Sequence, residues 1–356
     1  MSLNVDWRPK LGQKTDYGIG SIGAGGIVQY AHMPAYKKVG FRCVAVYDLN
    51  KEAAQKVADD FGIPKVYDNL EDLLADPAVD IVDIAVPPWV QHEIVAQAAA
   101  AKKHMLCQKP LSDSFAHAVQ IVEAAKAAGV KQAINHQMRW DAGIAAAHDL
   151  IQKGMIGQPT DAQIQVSCET PWHMWPWLAS APRLEVMYHS IHYIDAIRFL
   201  FGDPAWVTSR HARYAKQGEV KGETKTITIL DYEDGLQALV AVNHYNLHGE
   251  TFATFKFFGT EGAIEGTIGL MYNYPAGRPD TLEFRRKGEA PIPVELDEMW
   301  IPDAFVGPMA GLMQAIETDG VPPSSTEDNL NTLRVVNAAY LSMQENRSVR
   351  PSEIQA

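Results

Sequence analysis

Apolar and polar residues alternate along this chain in two rhythms, and the change falls just after Asn135. Before it, short apolar runs at 18–22, 42–47, 81–86, 104–107 and 131–134 are separated by segments of helical period at 27–39, 51–61, 90–101 and 114–128. Strand and helix in strict alternation, with short connections, predict a parallel sheet covered by helices. Pro87-Pro88 breaks the chain after the 81–86 run, as at the carboxyl edge of such a sheet. Gly129 stands where a left-handed cap would end the long helix.

Beyond Asn135, a helix is predicted over 142–153, and then strand patterns follow one another almost directly. They fall at 161–169, 205–214, 224–232, 236–245, 251–258 and 281–286, with a hairpin turn at Glu233-Asp234-Gly235. One helix, 186–200, interrupts them, and two more, 304–318 and 327–344, close the chain. Strands in direct succession predict a large open sheet that is mostly antiparallel. An open sheet leaves one face over, and covering it in a homodimer or homotetramer is the usual remedy.

One stretch carries chemistry by itself. Gly23-Ala-Gly-Gly-Ile27 follows an apolar run and opens a helical pattern, and Val44-Ala-Val-Tyr-Asp48 ends the next strand in an acid. Gly23 permits the tight turn, and Gly25 lets the backbone approach a pyrophosphate. Gly26 and Ile27 open the helix whose N–H groups face that charge. Val28 stands where a third glycine is usual. The unit predicts a dinucleotide-binding Rossmann domain. Asp48 would accept the adenosine ribose hydroxyls and repel a 2′-phosphate, which favours NAD over NADP. An N-cap role for Asp48 at the helix near Lys51 is compatible with this.

The expected architecture is α/β: an arm over 1–16, a Rossmann domain over 17–138, and over 139–356 an α+β domain for substrate and oligomer contacts. With 356 residues the chain is long enough for two cores, and 47% apolar with 21% charged residues describes an ordinary globular protein. A net charge of −12 argues against nucleic-acid or anionic-membrane partners. Cys43, Cys107 and Cys168 are scattered too widely for a disulfide framework or a zinc motif, which points to a reducing, cytoplasmic setting. No apolar stretch reaches the length of a membrane span.

Several motifs in register resemble the Gfo/Idh/MocA oxidoreductases, the family of glucose–fructose oxidoreductase and the inositol dehydrogenases. They are the glycine turn, Val86-Pro-Pro88 with His92, Cys107-Gln-Lys-Pro110, and His192-Tyr-Ile-Asp195, supported by Asn135-His-Gln-Met-Arg-Trp-Asp141 and Phe258-Gly-Thr-Glu-Gly262. The resemblance implies hydride transfer between nicotinamide and a carbinol of a sugar, sugar acid or polyol. It makes Lys109 and His192 the acid–base residues. An ammonium beside a cationic nicotinamide is disfavoured, which readies Lys109 for proton transfer. Imidazole can take the hydroxyl proton as hydride leaves. Pro87, Trp89 and His92 would line the nicotinamide side, or merely pack a helix start.

The chain also departs from the family. Gln108 replaces the usual Glu, which leaves a hydrogen-bonding side chain at the cofactor without its charge. Tyr188 and Ser190 stand where the family has Asp and Gly, so substrate recognition is expected to differ. Tyr188 and His189 remain candidate substrate residues. Trp172 and Trp175, in Pro171-Trp-His-Met-Trp-Pro-Trp177, suit stacking on a sugar or equally a subunit contact. Arg139 suits a substrate contact or a structural ion pair. His189 and His192 sit three apart on one predicted helix but lack an accompanying carboxylate set, so no metal is expected. Two other functions stay open: an NAD-retaining glycoside hydrolase that works by transient oxidation, and a non-catalytic NAD-sensing regulator.

Overall fold

The computed structural model describes residues 3–247 and 249–356; of the predicted arm, Met1 and Ser2 lie outside this range. The chain divides into two compact units. A parallel-sheet unit contains Pro9–Trp140 and Ile301–Leu330. A mixed-sheet unit contains the described residues up to Arg8, together with Asp141–Trp300 and Asn331–Gln355.

In the parallel-sheet unit the elements run β1 (Ile19–Ile22), a π-helical turn (Val28–His32) continuing into α1 (Met33–Val39), β2 (Cys43–Tyr47), α2 (Lys51–Phe61), β3 (Lys65–Val66), α3 (Leu70–Ala75), β4 (Ile81–Ile84), α4 (Pro88–Ala100), β5 (His104–Gln108), α5 (Phe115–Ala128) and β6 (Gln132–Asn135). The strand order is β3-β2-β1-β4-β5-β6, all parallel. That order reverses between β1 and β4, the switch point at which such sheets bind ligands. Every residue of β1 and β4 is buried, as expected of strands covered on both faces. β3 and α3, two and six residues long, are too short to announce themselves by periodicity.

The mixed-sheet unit follows with α6 (Ala142–Gln152), β7 (Pro159–Ser167), the short α7 (Pro176–Ala179), a π-helical turn (Val186–Ser190) leading into α8 (Ile191–Phe201), then β8 (Trp206–Ala212), β9 (Lys225–Asp231), β10 (Gln237–Asn243), β11 (Phe252–Gly259), β12 (Gly262–Thr267), β13 (Thr281–Arg286) and β14 (Ile292–Val294). Its eight strands lie in the order β14-β13-β12-β11-β7-β10-β9-β8. All neighbours are antiparallel except β7 and β10, which pair in parallel. β12 and β14 escaped the sequence reading. Inward positions such as Ala238, Val240, Phe255 and Phe257 are buried and alternate with half-buried outward ones. α8 is buried almost all round. Its two charges are satisfied: Asp195 accepts from Thr332 Oγ1 at 2.8 Å, and Arg198 donates to Asp203 at 2.5 Å and Thr332 at 2.6 Å.

The predicted boundary at residue 138 is an incomplete description, because the chain returns to the first unit. α9 (Val306–Thr318) and its N-cap Phe305 place Phe305, Val306, Met309, Leu312 and Met313 in the same core as Ile19, Ile81 and Leu106. Ser324 accepts from Ile134 N–H at 2.8 Å and so extends the β6 edge before α10 (Thr326–Glu345) begins. Among the described residues, no helix is long and apolar enough to cross a membrane.

Candidate active site

The glycine turn lies at the switch point. Gly23 has φ +109°, and a Cβ there would come within 2.4 Å of the Ala85 carbonyl, so both backbone angle and space require glycine. Gly25 is different: a Cβ there would meet nothing within 4 Å. The backbone is therefore bare toward an open space, at the start of a helical turn that has neither a side-chain cap nor an acid in its first turn. That is the cradle a pyrophosphate needs. Asp48 is tied to this loop, accepting Ala24 N–H on Oδ2 and Asn50 N–H on Oδ1, both at 2.7 Å. The cap of α2 is Asn50, not Asp48, through bonds from Glu52 N–H and Ala53 N–H. Each Asp48 oxygen keeps a lone pair for a ribose hydroxyl. These residues fit a dinucleotide.

Lys109 follows β5 on the same carboxyl edge. Its loop is held by Gln91, a fully buried residue of α4 that the sequence did not single out. Gln91 Nε2 donates to the carbonyls of Gln108 (3.0 Å), Pro110 (3.2 Å) and Leu111 (2.8 Å), and its Oε1 accepts Gln108 N–H at 3.1 Å. The Lys109 side chain is half-buried, and burial lowers its pKa to about 8. Pro87 precedes α4 as its N-cap, Trp89 is 46% exposed, and His92 stacks on His117 with ring centroids 4.1 Å apart.

Gln108 points inward. Its Oε1 accepts Lys109 N–H at 2.8 Å, which fixes the amide orientation, and its Nε2 is 2.9 Å from His32 Nε2. Asn135 Nδ2 lies 3.2 Å from the same nitrogen. On its other side His32 Nδ1 lies 2.7 Å from Asp83 Oδ2, so the ring is held between the two amides and the buried carboxylate. Tyr36 Oη also donates to Asp83, at 2.8 Å, and burial of the phenol together with the Asp83 charge pushes its pKa up. The neutral Gln108 is thus the partner of a buried imidazole. Asp83, an acid inside an otherwise apolar strand, was the visible signal of this network.

In the mixed-sheet unit His192 sits at the start of α8, 6% exposed, edge-on to Trp300 at 5.2 Å. Tyr188 packs against Trp177 at 5.6 Å, and Trp175 against Tyr274 at 5.5 Å. His189 joins a cluster that no sequence motif marks. It lies 4.5 Å from His244 between ring centroids, and Trp172 lies edge-on to His244 at 5.3 Å. Glu185, fully buried, is 3.5 Å from His189 Nδ1 and 3.9 Å from His244 Nε2. Burial alone would raise the Glu185 carboxyl, but the two imidazoles hold it below the ordinary carboxylate range. Burial opposes charge on His244, yet hydrogen bonding and charge from Cys168 and Glu185 push its pKa up to about 9.

Arg139 belongs to the parallel-sheet unit and takes the structural alternative. It is 5% exposed and donates to Asp328 at 2.7 Å and to the Pro323 carbonyl at 2.9 Å. His136 is also internal, accepting from Asn329 Nδ2 at 2.6 Å.

Comparison with known proteins bears on this arrangement. Residues 17–136 match the oxidoreductase family with an NAD-binding Rossmann fold, and residues 144–265 match the Gfo/Idh/MocA C-terminal domain. The chain belongs to the Gfo/Idh/MocA oxidoreductases. Within that family it is similar to D-apiose dehydrogenase of Paraburkholderia graminis, 28% identical over 91% of this chain and 87% of that one. It is similar as well to 1,5-anhydro-D-fructose reductase of Ensifer adhaerens, 28% identical over 88% and 92% of the two chains. Among solved structures, an oxidoreductase from Agrobacterium radiobacter in complex with NAD+, L-tartaric acid and magnesium superposes with a TM-score of 0.83. It is 26% identical and covers 96% of this chain and 100% of its own. In this Gfo/Idh/MocA chain the Cys107–Pro110 motif is thus the end of β5 and its clamped loop. The His192–Asp195 motif is the first turn of α8, anchored through Asp195 to Thr332.

Proposed function

We propose that the protein is an NAD-dependent dehydrogenase acting on a carbinol of a sugar, sugar acid or polyol. One observation carries the reading: the open cradle over Gly25, flanked by Asp48, shares its sheet edge with the desolvated amine of Lys109. Gly23, Gly25, Gly26 and Ile27 would hold the pyrophosphate, and Asp48 the adenosine ribose, where a 2′-phosphate would meet a carboxylate. A bound nicotinamide supplies the hydride acceptor or donor. Lys109, with a pKa near working pH, takes up or returns a proton at Nζ. His192, as an imidazole, would do so at the substrate oxygen. The sugar-acting dehydrogenase and reductase among its relatives support this substrate class. A second copy of the chain covers the outward face of the mixed sheet, where Leu239 opposes Ile229 and Ala241 opposes Ile227 across β9 and β10.

The test is absorbance at the NADH band with purified protein, NAD or NADP, and a panel of aldoses, anhydro sugars, sugar acids and polyols. Reduction of NAD that is lost in Lys109→Ala and His192→Ala, by roughly two to four powers of ten in turnover, is the expected result. Silence across the panel, with NAD released on denaturation and a glycoside cleaved without net NADH, would replace the reading with the NAD-retaining hydrolase.

A further inference from the structure

The Glu185–His189–His244 cluster takes no part in the chemistry assigned above. The only parallel pair among the described strands of this sheet brings it together. Because β7 and β10 run side by side in the same direction, Cys168 and Thr170 leave one strand where His244 leaves the other. They are joined by Cys168 N–H to the Asn243 carbonyl (2.9 Å) and Thr170 N–H to the His244 carbonyl (3.2 Å). The π-helical turn Val186–Ser190 then supplies the remaining members. Glu185 precedes it, and Ser190, five residues on, reaches back to Glu185 Oε1 at 2.5 Å. Single π-turns of this kind often mark functional sites.

Each side chain is oriented from outside and aimed inward. His244 Nδ1 is bonded to Thr170 Oγ1 at 2.7 Å, and His189 Nε2 to Tyr193 Oη at 3.4 Å. The hydroxyls of Ser190 and Thr226 hold the two oxygens of Glu185. The inner nitrogens, His189 Nδ1 and His244 Nε2, both face Glu185 Oε1, at 3.5 and 3.9 Å. His244 is 2% exposed, and its Nε2 has no hydrogen-bond partner. One donor atom from each of the three residues lies within 4.8 Å of the others. Donors about 2.0–2.1 Å from a tetrahedral ion stand roughly 3.3 Å apart, so the Glu185–imidazole separations of 3.5 and 3.9 Å need to close by only a few tenths of an ångström on binding one. Tying the outer ring nitrogens to hydroxyls is how metal-binding imidazoles are fixed in tautomer and direction.

We propose that Glu185, His189 and His244 bind a first-row divalent cation, with zinc as the representative ion. Two imidazoles and a carboxylate suit zinc or iron rather than magnesium or calcium, whose sites are built from oxygen. Three protein donors leave a coordination position for water. The expectation of no metal rested on pairing His189 with His192. The structure instead groups His189 with His244, which follows β10, and with the buried acid Glu185.

The test needs neither NAD nor substrate. Protein stripped with chelator and dialysed against zinc, or separately cobalt(II), is passed through a desalting column, and bound metal is measured by mass spectrometry. One ion per chain, visible cobalt absorption of a low-coordinate site, and a rise in melting temperature with zinc are expected. All three should be lost in His244→Ala and in Glu185→Gln, and kept in His211→Ala, which removes an exposed histidine. Absence of retained metal and of cobalt absorption in the wild-type protein would overturn the site, as would full retention in both variants. Should the variants misfold by circular dichroism, the wild-type stoichiometry and cobalt spectrum decide alone.

Discussion

At the scale of single residues, Lys109 shows how much chemistry a local motif can announce and how much it conceals. A lysine before proline at the end of a strand was visible; what tunes it was not. Its pKa is lowered to about 8 by burial. Below pH 8 folded and unfolded chains both carry the charge, so burial is a constant cost. Between pH 8 and the unfolded value near 10.5 only the unfolded chain keeps the proton, and stability rises with pH. Lys109→Met should therefore raise stability by about 1–3 kcal/mol at pH 7, a figure reduced for the water the side chain retains. The gain should shrink as pH approaches 10.5, and denaturant melts at several pH values measure it. The same pKa places an inflection near pH 8 in kcat/KM for oxidation. Gln91, which grips the Lys109 loop by four hydrogen bonds, is a positioning residue. Gln91→Ala should lower kcat by about a hundredfold, the cost of a catalytic group displaced by an ångström, and should move that inflection. A pH–rate profile that keeps its shape would leave Gln91 with a packing role only. A glutamine on a helix gives no sign in sequence that three carbonyls converge on it. Arg139 illustrates the converse: its residue type suited substrate or ion pair equally, and only the position of Asp328 decided.

At the scale of elements, the opening strand, turn, helix, strand and acid were legible because their chemistry is local. Gly23 needs a positive φ and no side chain, and glycine alone meets both. Gly23→Ala is expected to push β1 from β4 at the Ala85 carbonyl and to abolish NAD binding, checked by cofactor fluorescence titration. Asp48→Ala should weaken NAD by about 1.5–3 kcal/mol, the worth of hydrogen bonds to a charged group. It should weaken NADP much less, so calorimetry with both cofactors tests the assignment. Three of the missed elements share a cause: β3, β14 and α3 are two, three and six residues long, too short for a periodic signal. The parallel pairing of β7 with β10 was invisible for another reason. Direct succession of strands implies hairpins, but β7 sits between β10 and β11, its partners far along the chain.

At the scale of the whole molecule, the two units are not consecutive stretches of chain. Phe305, Met309, Leu312 and Met313 return to the first core, so a fragment 9–140 lacks part of its own interior. Such a fragment should show helical circular dichroism without a cooperative melt, and adding residues 301–330 should restore cooperativity. The proposal that a second copy covers the outward face of the mixed sheet predicts that Leu239→Asp, on the outward face of β10, shifts light scattering toward monomer while leaving the inward side chains of the sheet intact. The sequence by itself determined the class of both sheets, the cofactor turn, the family and the two acid–base candidates, because these depend on backbone angles, periodicity and motifs within a few residues. Only the tertiary structure decided that Gln108 serves a buried histidine, that Arg139 is an ion pair, that α9 completes the first core, and that Glu185, His189 and His244 meet. Each of those depends on side chains from distant segments, and no local pattern encodes which distant atom will fill a given space.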